Sequence, residues 1–145
     1  GQEAARLMEV FEVPLRTRPS RLSLGQRSAL DAVFALSCRC PVLLLDEIHL
    51  GMDVVMRRRF WDELLALYLR ERPTIVVSSH QVDEIEDLLE DVVVLHRGRL
   101  AAAGAADELR AAHSRPGQGL ASLADALIDL TSGTALADST EGELS

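Results

Sequence analysis

Two adjacent acids, Asp46 and Glu47, close the apolar run Val42-Leu43-Leu44-Leu45. An apolar strand that delivers two carboxylates offers what nucleotide hydrolysis requires. One acid holds the magnesium shell, and the other orients or deprotonates the attacking water. The same run also reads as a buried strand that ends at two solvated acids. Upstream, Leu22-Ser23-Leu24-Gly25-Gln26-Arg27 opens a stretch with helical periodicity. A hydroxyl, a glycine and a helix N-terminus together make an anion site, because free backbone N–H groups and the helix dipole point to one place. Ser23 and Gln26 also spell a Ser-x-x-Gln capping box, which accounts for both residues by helix stability alone. His80 follows a second apolar run and, taken singly, reads as an ordinary strand-end histidine.

The elements that must position these residues are legible in the periodicity. Ala5, Leu7, Met8 and Phe11 mark a short opening helix, and Pro14 with Pro19 enforces an extended connection. Leu30, Val33, Phe34 and Leu36 recur at helical steps, so a helix is expected from Ser23 to about Ser37, stopping before Pro41. Val42 to Leu45 predicts a strand buried on both faces, as in a parallel sheet. Phe60, Trp61, Leu64, Leu65 and Tyr68 place a helix over about 54 to 69, closed by Pro73. Thr74 to Ser78 repeats the strand pattern, and Val82 to Leu89 predicts a short acidic helix. This alternation argues for an α/β fold with parallel core strands, whose ligands sit at the strands' carboxyl ends, where Asp46, Glu47, Ser79 and His80 fall. Val92 to Leu95 and Arg99 to Ala102 form a hairpin across Arg97-Gly98, and a short helix spans about Asp107 to Ala112. Beyond Ser114 the chain turns rich in Gly, Ser, Asp and Ala. One helix is expected at about 120–131, and disorder over the last dozen residues.

Composition narrows the partners. With 145 residues, 48% apolar and only 3% aromatic, the chain is sized for one modest core built from aliphatic side chains. A net charge of -8 argues against nucleic acid as the main partner. The one basic run, Arg57-Arg58-Arg59, reads as a solvated helix face. Cys38 and Cys40 are too few and too close for a disulfide framework or a zinc site, and read as reduced core or loop residues. No apolar run reaches the roughly 18 residues of a membrane span, and the first residues lack the charged-then-apolar order of a signal peptide. A cytoplasmic location is the expectation.

Taken together, these features resemble the nucleotide-binding domains of ATP-binding cassette (ABC) transporters. Leu22-Ser23-Leu24-Gly25-Gln26 looks like the family's Leu-Ser-Gly-Gly-Gln signature. Ser23 lies 23 positions before Asp46, Asp46 lies 7 before Asp53, and Glu47 lies 33 before His80, spacings at home in that family. The resemblance covers about Gly1 to Leu109 and implies a partial P-loop NTPase fold: the end of the helical subdomain, parallel core strands, then a C-terminal hairpin and helices. It divides the chain into a cassette part, 1–113, and a tail, 114–145. By the same resemblance, Asp46 matches the Walker B aspartate on Mg2+, and Glu47 matches the catalytic glutamate beside the attacking water. Asp53 matches the D-loop aspartate at the dimer interface, and His80 matches the switch histidine that contacts the γ-phosphate. Ser23, Leu24, Gly25 and Gln26 occupy signature positions that touch the ATP held by the opposite subunit.

The resemblance implies an ATP hydrolase that works as a head-to-tail homo- or heterodimer with a second cassette and energises a membrane permease subunit. It would lie peripherally at the inner face of the membrane, with no span of its own and no nucleic acid partner. Two departures stand out: Leu24 replaces a signature glycine, and Ile48-His49 stands where the family usually has Pro-Thr. A larger one is that the 145 residues contain no Gly-x-x-x-x-Gly-Lys-Ser/Thr, the loop that cradles the β- and γ-phosphates. With Gly1 at the start, this leads us to expect the C-terminal part of a longer protein, inactive by itself. The segment Leu120 to Gly133 resembles the short C-terminal helix that ends many exporter-type cassettes, which points to a bacterial exporter. Alternatives are a non-catalytic dimerisation or regulatory module and a non-transport ABC ATPase. Asp46-Glu47-Ile48-His49 also spells a helicase box, but the acidic chain lacks the basic, aromatic-bearing surface a helicase needs. A metal hydrolase using His49, His80 and the acids lacks the short His-x-x-His spacing.

Overall fold

A computed structural model describes residues 1–117 and 119–141, with side chains as far as residue 132. The described chain forms two compact units, Gly1–Ser79 and a second from His80 onward.

In the first unit, α1 (Gln2–Val10) is amphipathic and buries Leu7. It stops where Glu12 takes a left-handed φ of 53° ahead of Pro14. The carbonyls a helix leaves unpaired at its end need outside donors. Arg59 supplies one, donating to the Val10 carbonyl at 3.0 Å and to Glu12 Oε1 at 2.9 Å. Arg6 adds a two-pronged bond to Glu63 Oε1 and Oε2 at 2.8 and 2.7 Å. Its bond to Glu3 holds the Glu3 carboxyl below its usual range. The arginine run of α3 is thus only in part a solvated face: Arg58 pairs with Asp62 on the surface, while Arg57 donates to the Met52 carbonyl and Arg59 ties down the end of α1.

A 3-10 turn at Pro19–Arg21 leads into α2 (Leu24–Ser37), which buries Ala29, Ala32, Val33 and Leu36. Three- and four-residue steps put these side chains on one stripe, and α1 and α3 both pack against α2. Arg39, at φ 51°, and Pro41 end the helix, and Cys38 and Cys40 are free and exposed there.

Strands β1 (Val42–Asp46) and β2 (Thr74–Ser78) pair in parallel with Asp46 opposite Ser78. The expectation that β1 is buried on both faces is corrected: Leu43 and Leu45 are buried, whereas Leu44 is 75% exposed. Successive side chains of a strand point to opposite faces, and in the described chain only one face of this two-stranded sheet is covered. Helix α3 (Val54–Glu71) joins the strands. Its buried stripe is Phe60, Trp61, Leu64 and Leu67 in place of the expected Leu65, which is 37% exposed. Arg72 closes α3 in the left-handed conformation, its N–H bonded to the Tyr68 carbonyl, and Pro73 follows.

In the second unit, Val82 to Leu89 forms turns and a three-residue 3-10 helix, Glu86–Leu88, in place of the expected acidic α-helix. Asp83, Glu84, Glu86 and Asp87 would stack like charges at i,i+3 and i,i+4, and no Lys or Arg lies between Gln81 and Asp91 to offset them. The hairpin forms as expected. Strands β3 (Asp91–His96) and β4 (Arg99–Ala105) run antiparallel, and Arg97 and Gly98 both have positive φ, 48° and 74°. Two such residues define the tight hairpin turn whose twist matches its strands.

Helix α4 (Ala106–Ala112) leads to α5 (Leu123–Glu141), which buries Leu123 and Ala126 and packs against α4 and β4. Ser122 caps α5: its Oγ accepts from the Asp125 N–H at 3.0 Å and donates to Asp125 Oδ2 at 2.8 Å. The Leu123 N–H, an orphan donor at the helix start, is taken up by Glu86 Oε2 at 2.7 Å. Instead of ending near 131, α5 continues through Ala135-Leu136-Ala137, good helix formers. The expected disorder of the last dozen residues is thereby corrected as far as Glu141, and residues 142–145 lie outside the described residues. No described helix is long and apolar enough to cross a membrane.

Candidate functional site

The site is built at the carboxyl end of β1. Because Asp46 and Ser78 are in register on parallel strands, their side chains meet: Ser78 Oγ donates to Asp46 Oδ1. The chain then turns sharply. Glu47 takes φ 46°, a left-handed conformation uncommon for a residue with a side chain and worth noting at a candidate site. The turn is held by the Glu47 N–H, which donates to the Ser78 carbonyl and to Ser78 Oγ, each at 3.2 Å. Asp46 is exposed, and the Glu47 side chain is 28% exposed. Two carboxylates therefore stand at one strand end with different surroundings, Asp46 beside a hydroxyl and open to solvent, Glu47 partly enclosed.

His49 encloses Glu47. Its ring is 2% exposed, its Nε2 lies 3.5 Å from Glu47 Oε2, and its centroid is 5.9 Å from that of Trp61 on α3. Trp61 is itself packed on Phe60, ring centroids 4.8 Å apart. Periodicity did not reveal this histidine as a core residue, because its burial depends on the chain reversal at Glu47. Ser78 is the other residue that sequence reasoning passed over in favour of Ser79. The strand register, unreadable without the pairing, is what singles it out.

The segment 22–26 forms both halves of the expected capping box: the Gln26 N–H donates to Ser23 Oγ at 3.2 Å, and the Ser23 N–H to Gln26 Oε1 at 3.0 Å. Capping leaves the first N–H groups of α2, those of Leu24 and Gly25, without intrahelical acceptors. Against this turn packs the loop after β1. Ser28 Oγ donates to the Leu50 carbonyl, and a Cβ added to Gly25 would sit 2.5 Å from the Gly51 carbonyl oxygen. Backbone on both sides cannot yield cheaply, so Gly25 is required for this approach. Gly25→Ala is expected to destabilise the first unit by about 1–3 kcal/mol as an overpacking change. A urea midpoint equal to that of the parent would contradict the close approach.

Leu24, the departure at a signature position, is 66% exposed, yet its side chain lies over Gly51. Asp53 is the N-cap of α3, its Oδ1 accepting from the Met56 N–H at 2.8 Å. The first unit thus brings Leu24, Gly25 and Ser28 against the loop that leads to Asp53. It gathers Asp46 and Glu47 with Ser78 and His49. His80 lies two residues beyond β2, exposed, at the start of the second unit.

Hard oxygen donors of this kind, one exposed carboxylate beside a hydroxyl, suit Mg2+, which keeps waters and takes one or two carboxylates plus phosphate oxygens. Among the described residues, no three of His, Cys, Asp and Glu gather into a group that would hold a metal by themselves.

Comparison with known proteins places this geometry in a family. A family model described as "AAA domain, putative AbiEii toxin, Type IV TA system" matches residues 9–86. The chain is 34% identical over 87 residues to the nitrate import ATP-binding protein NrtD of Synechococcus elongatus, covering 60% of this chain and 32% of that one. It is 30% identical over 114 residues to the energy-coupling factor transporter ATP-binding protein EcfA3 of Oenococcus oeni, covering 74% and 38%. It therefore spans about a third of the length of these relatives. A solved structure, "Structure of ATP binding subunit of ABC transporter", superposes with a TM-score of 0.76 at 25% identity, covering 89% of this chain and 53% of that one. With more than half of its residues matched by a P-loop ATPase domain model, and with ABC ATP-binding proteins as relatives and structural neighbour, the chain belongs to the ATPases of the ATP-binding cassette type.

Proposed function

We propose that this chain supplies the hydrolytic and trans-acting groups of an ABC transporter ATPase, the grip on the β- and γ-phosphates coming from a phosphate loop that these 145 residues do not spell. The observation that carries the reading is the strand end where Asp46, locked to Ser78, and Glu47, turned by its left-handed backbone, stand side by side. Asp46 would hold Mg2+ through its carboxylate, with the Ser78 hydroxyl fixing the orientation. Bound there, the ion neutralises charge on the phosphate oxygens. Glu47 orients the water and takes its proton. The resemblance gives His80 the role of the switch histidine toward the γ-phosphate.

The start of α2 serves a second cassette. Ser23 keeps its hydroxyl proton for an acceptor, because in the capping box its oxygen only receives, and with the helix-start N–H groups it would form an anion site for the ATP held across a head-to-tail dimer. Leu24 narrows the approach, so weaker ATP-driven association with unchanged hydrolytic groups is the expected consequence. Asp53 stands at the same interface. In this reading the ATPase works with a membrane permease at the cytoplasmic face. The exporter expectation rests on α5 alone. NrtD is by name an import protein and EcfA3 an energy-coupling factor protein, so the reading adopted is a transporter ATPase of either direction.

The test is direct. The 145-residue chain by itself is expected to show no MgATP turnover above background, since the gain of about 10² to 10⁴ from a general base requires bound nucleotide to act on. Turnover by the chain alone with micromolar affinity would refute the division of labour proposed here.

A further inference from the structure

Between β1 and the glycine of its following loop lies a histidine for which the proposed roles leave no place. We infer that His49 is the positioning residue for Glu47, its Nε2–H fixing Oε2 so that Oε1 faces the attacking water. The inference rests on the proposed role of Glu47 as base and extends it to the residue that sets its geometry.

Three observations converge. First, the ring is almost wholly buried, at 2% exposure, and its Nε2 stands 3.5 Å from Glu47 Oε2. That is long for a hydrogen bond, as catalytic contacts often are before substrate is bound, and within reach of the tightening that binding brings. Second, the ring is held from behind. Trp61 lies 5.9 Å away, centroid to centroid, and is wedged on Phe60 in the core of the first unit, so the imidazole cannot swing without disturbing α3. Third, Glu47 itself takes the left-handed φ of 46°, which sets the direction of its Cβ and leaves only side-chain torsions to be fixed. A donor on a rigid ring fixes them.

A carboxylate base needs one oxygen aimed at the water and the other occupied. A freely turning side chain would spend much of its time misaligned, and displacements of about 1 Å in such a group can cost 10²-fold in rate. His49 therefore acts through Glu47. The Ile48-His49 pair, which stands where Pro-Thr is usual, then marks a site that holds its base with a side-chain donor from the loop itself.

The test compares three substitutions in the assembled ATPase, phosphate loop included, by steady-state MgATP hydrolysis and thermal melting. His49→Leu removes the donor and keeps the bulk. It is expected to lower kcat by roughly 10- to 100-fold with KM for MgATP within about twofold. His49→Gln returns an N–H near the position of Nε2 and is expected to recover most of the loss. A His49→Leu protein with parental kcat would overturn the inference. So would a folded His49→Gln protein that is as slow as His49→Leu, since burial alone would then explain the residue. Should His49→Leu fail to melt cooperatively, the Gln variant decides, and its near-parental kcat supports the donor role. Glu47→Gln is the control: if that protein turns over normally, the role proposed for Glu47 fails, whereas a dead Glu47→Gln beside an unaffected His49→Leu removes His49 alone.

Discussion

Glu47→Gln in the assembled ATPase is expected to reduce MgATP turnover by about 10²- to 10⁴-fold while leaving nucleotide binding intact. The substitution keeps the volume and a polar head but removes the group that can accept the proton of the attacking water. The bonds that shape the strand end do not involve that carboxylate, whose one neighbour described above is His49 Nε2 at 3.5 Å. Asp46 keeps its bond from Ser78 Oγ, and the left-handed turn at Glu47 is held by backbone N–H bonds to Ser78 that a glutamine preserves. The expected signature is a selective fall in kcat with little change in affinity. It is read by steady-state hydrolysis and by equilibrium binding of labelled ATP. A variant that lost binding in proportion to turnover would instead make Glu47 a structural residue of the turn.

Phe60→Ala is expected to destabilise the first unit by about 3–5 kcal/mol, the range for truncating a buried aromatic without full collapse of the cavity. Phe60 is 0% exposed, lies on the buried stripe of α3, and supports Trp61 at 4.8 Å. Domains of this size have only some 5–15 kcal/mol to lose, so the variant should sit near its unfolding midpoint at room temperature. Urea titration measures this, and a loss under about 1 kcal/mol would mean that the α3 packing described above is wrong. Through the contacts Phe60–Trp61 and Trp61–His49, Phe60→Ala is also expected to lower turnover in the assembled ATPase.

Where local signals and tertiary context agree, the sequence was a sufficient guide. Ser23 with Gln26 announced a capping box and forms one, Arg97-Gly98 announced a hairpin turn and supplies both left-handed residues, and Thr74 to Ser78 is a strand to the residue. Elsewhere the decisive physics was non-local. Val42 to Leu45 is apolar throughout, so its composition could not show that Leu44 faces outward in the described chain while Leu43 and Leu45 face the core. The acidic stretch 82–89 carries helical apolar spacing, but like charges in adjacent turns leave it a 3-10 fragment.

At the candidate site the acids themselves were visible, because an apolar strand ending in two carboxylates is conspicuous in any sequence. Their supports were not. Ser78 matters only because parallel register sets it opposite Asp46, and His49 matters only because the turn at Glu47 folds it under Trp61. The approach of Gly25 to Gly51 likewise joins residues 26 positions apart through backbone contact, which leaves no pattern in side-chain chemistry.

The central claim, that these residues form part of an ABC-type composite site, is tested most directly by the oligomeric state of the Glu47→Gln ATPase, phosphate loop included. It is measured by sedimentation velocity with and without MgATP. The account predicts monomers without nucleotide and a stable dimer with it, because ATP bridges the phosphate loop of one subunit and the Ser23–Gln26 turn of the other and is no longer consumed. A variant saturated with MgATP that remains monomeric at every protein concentration would contradict it.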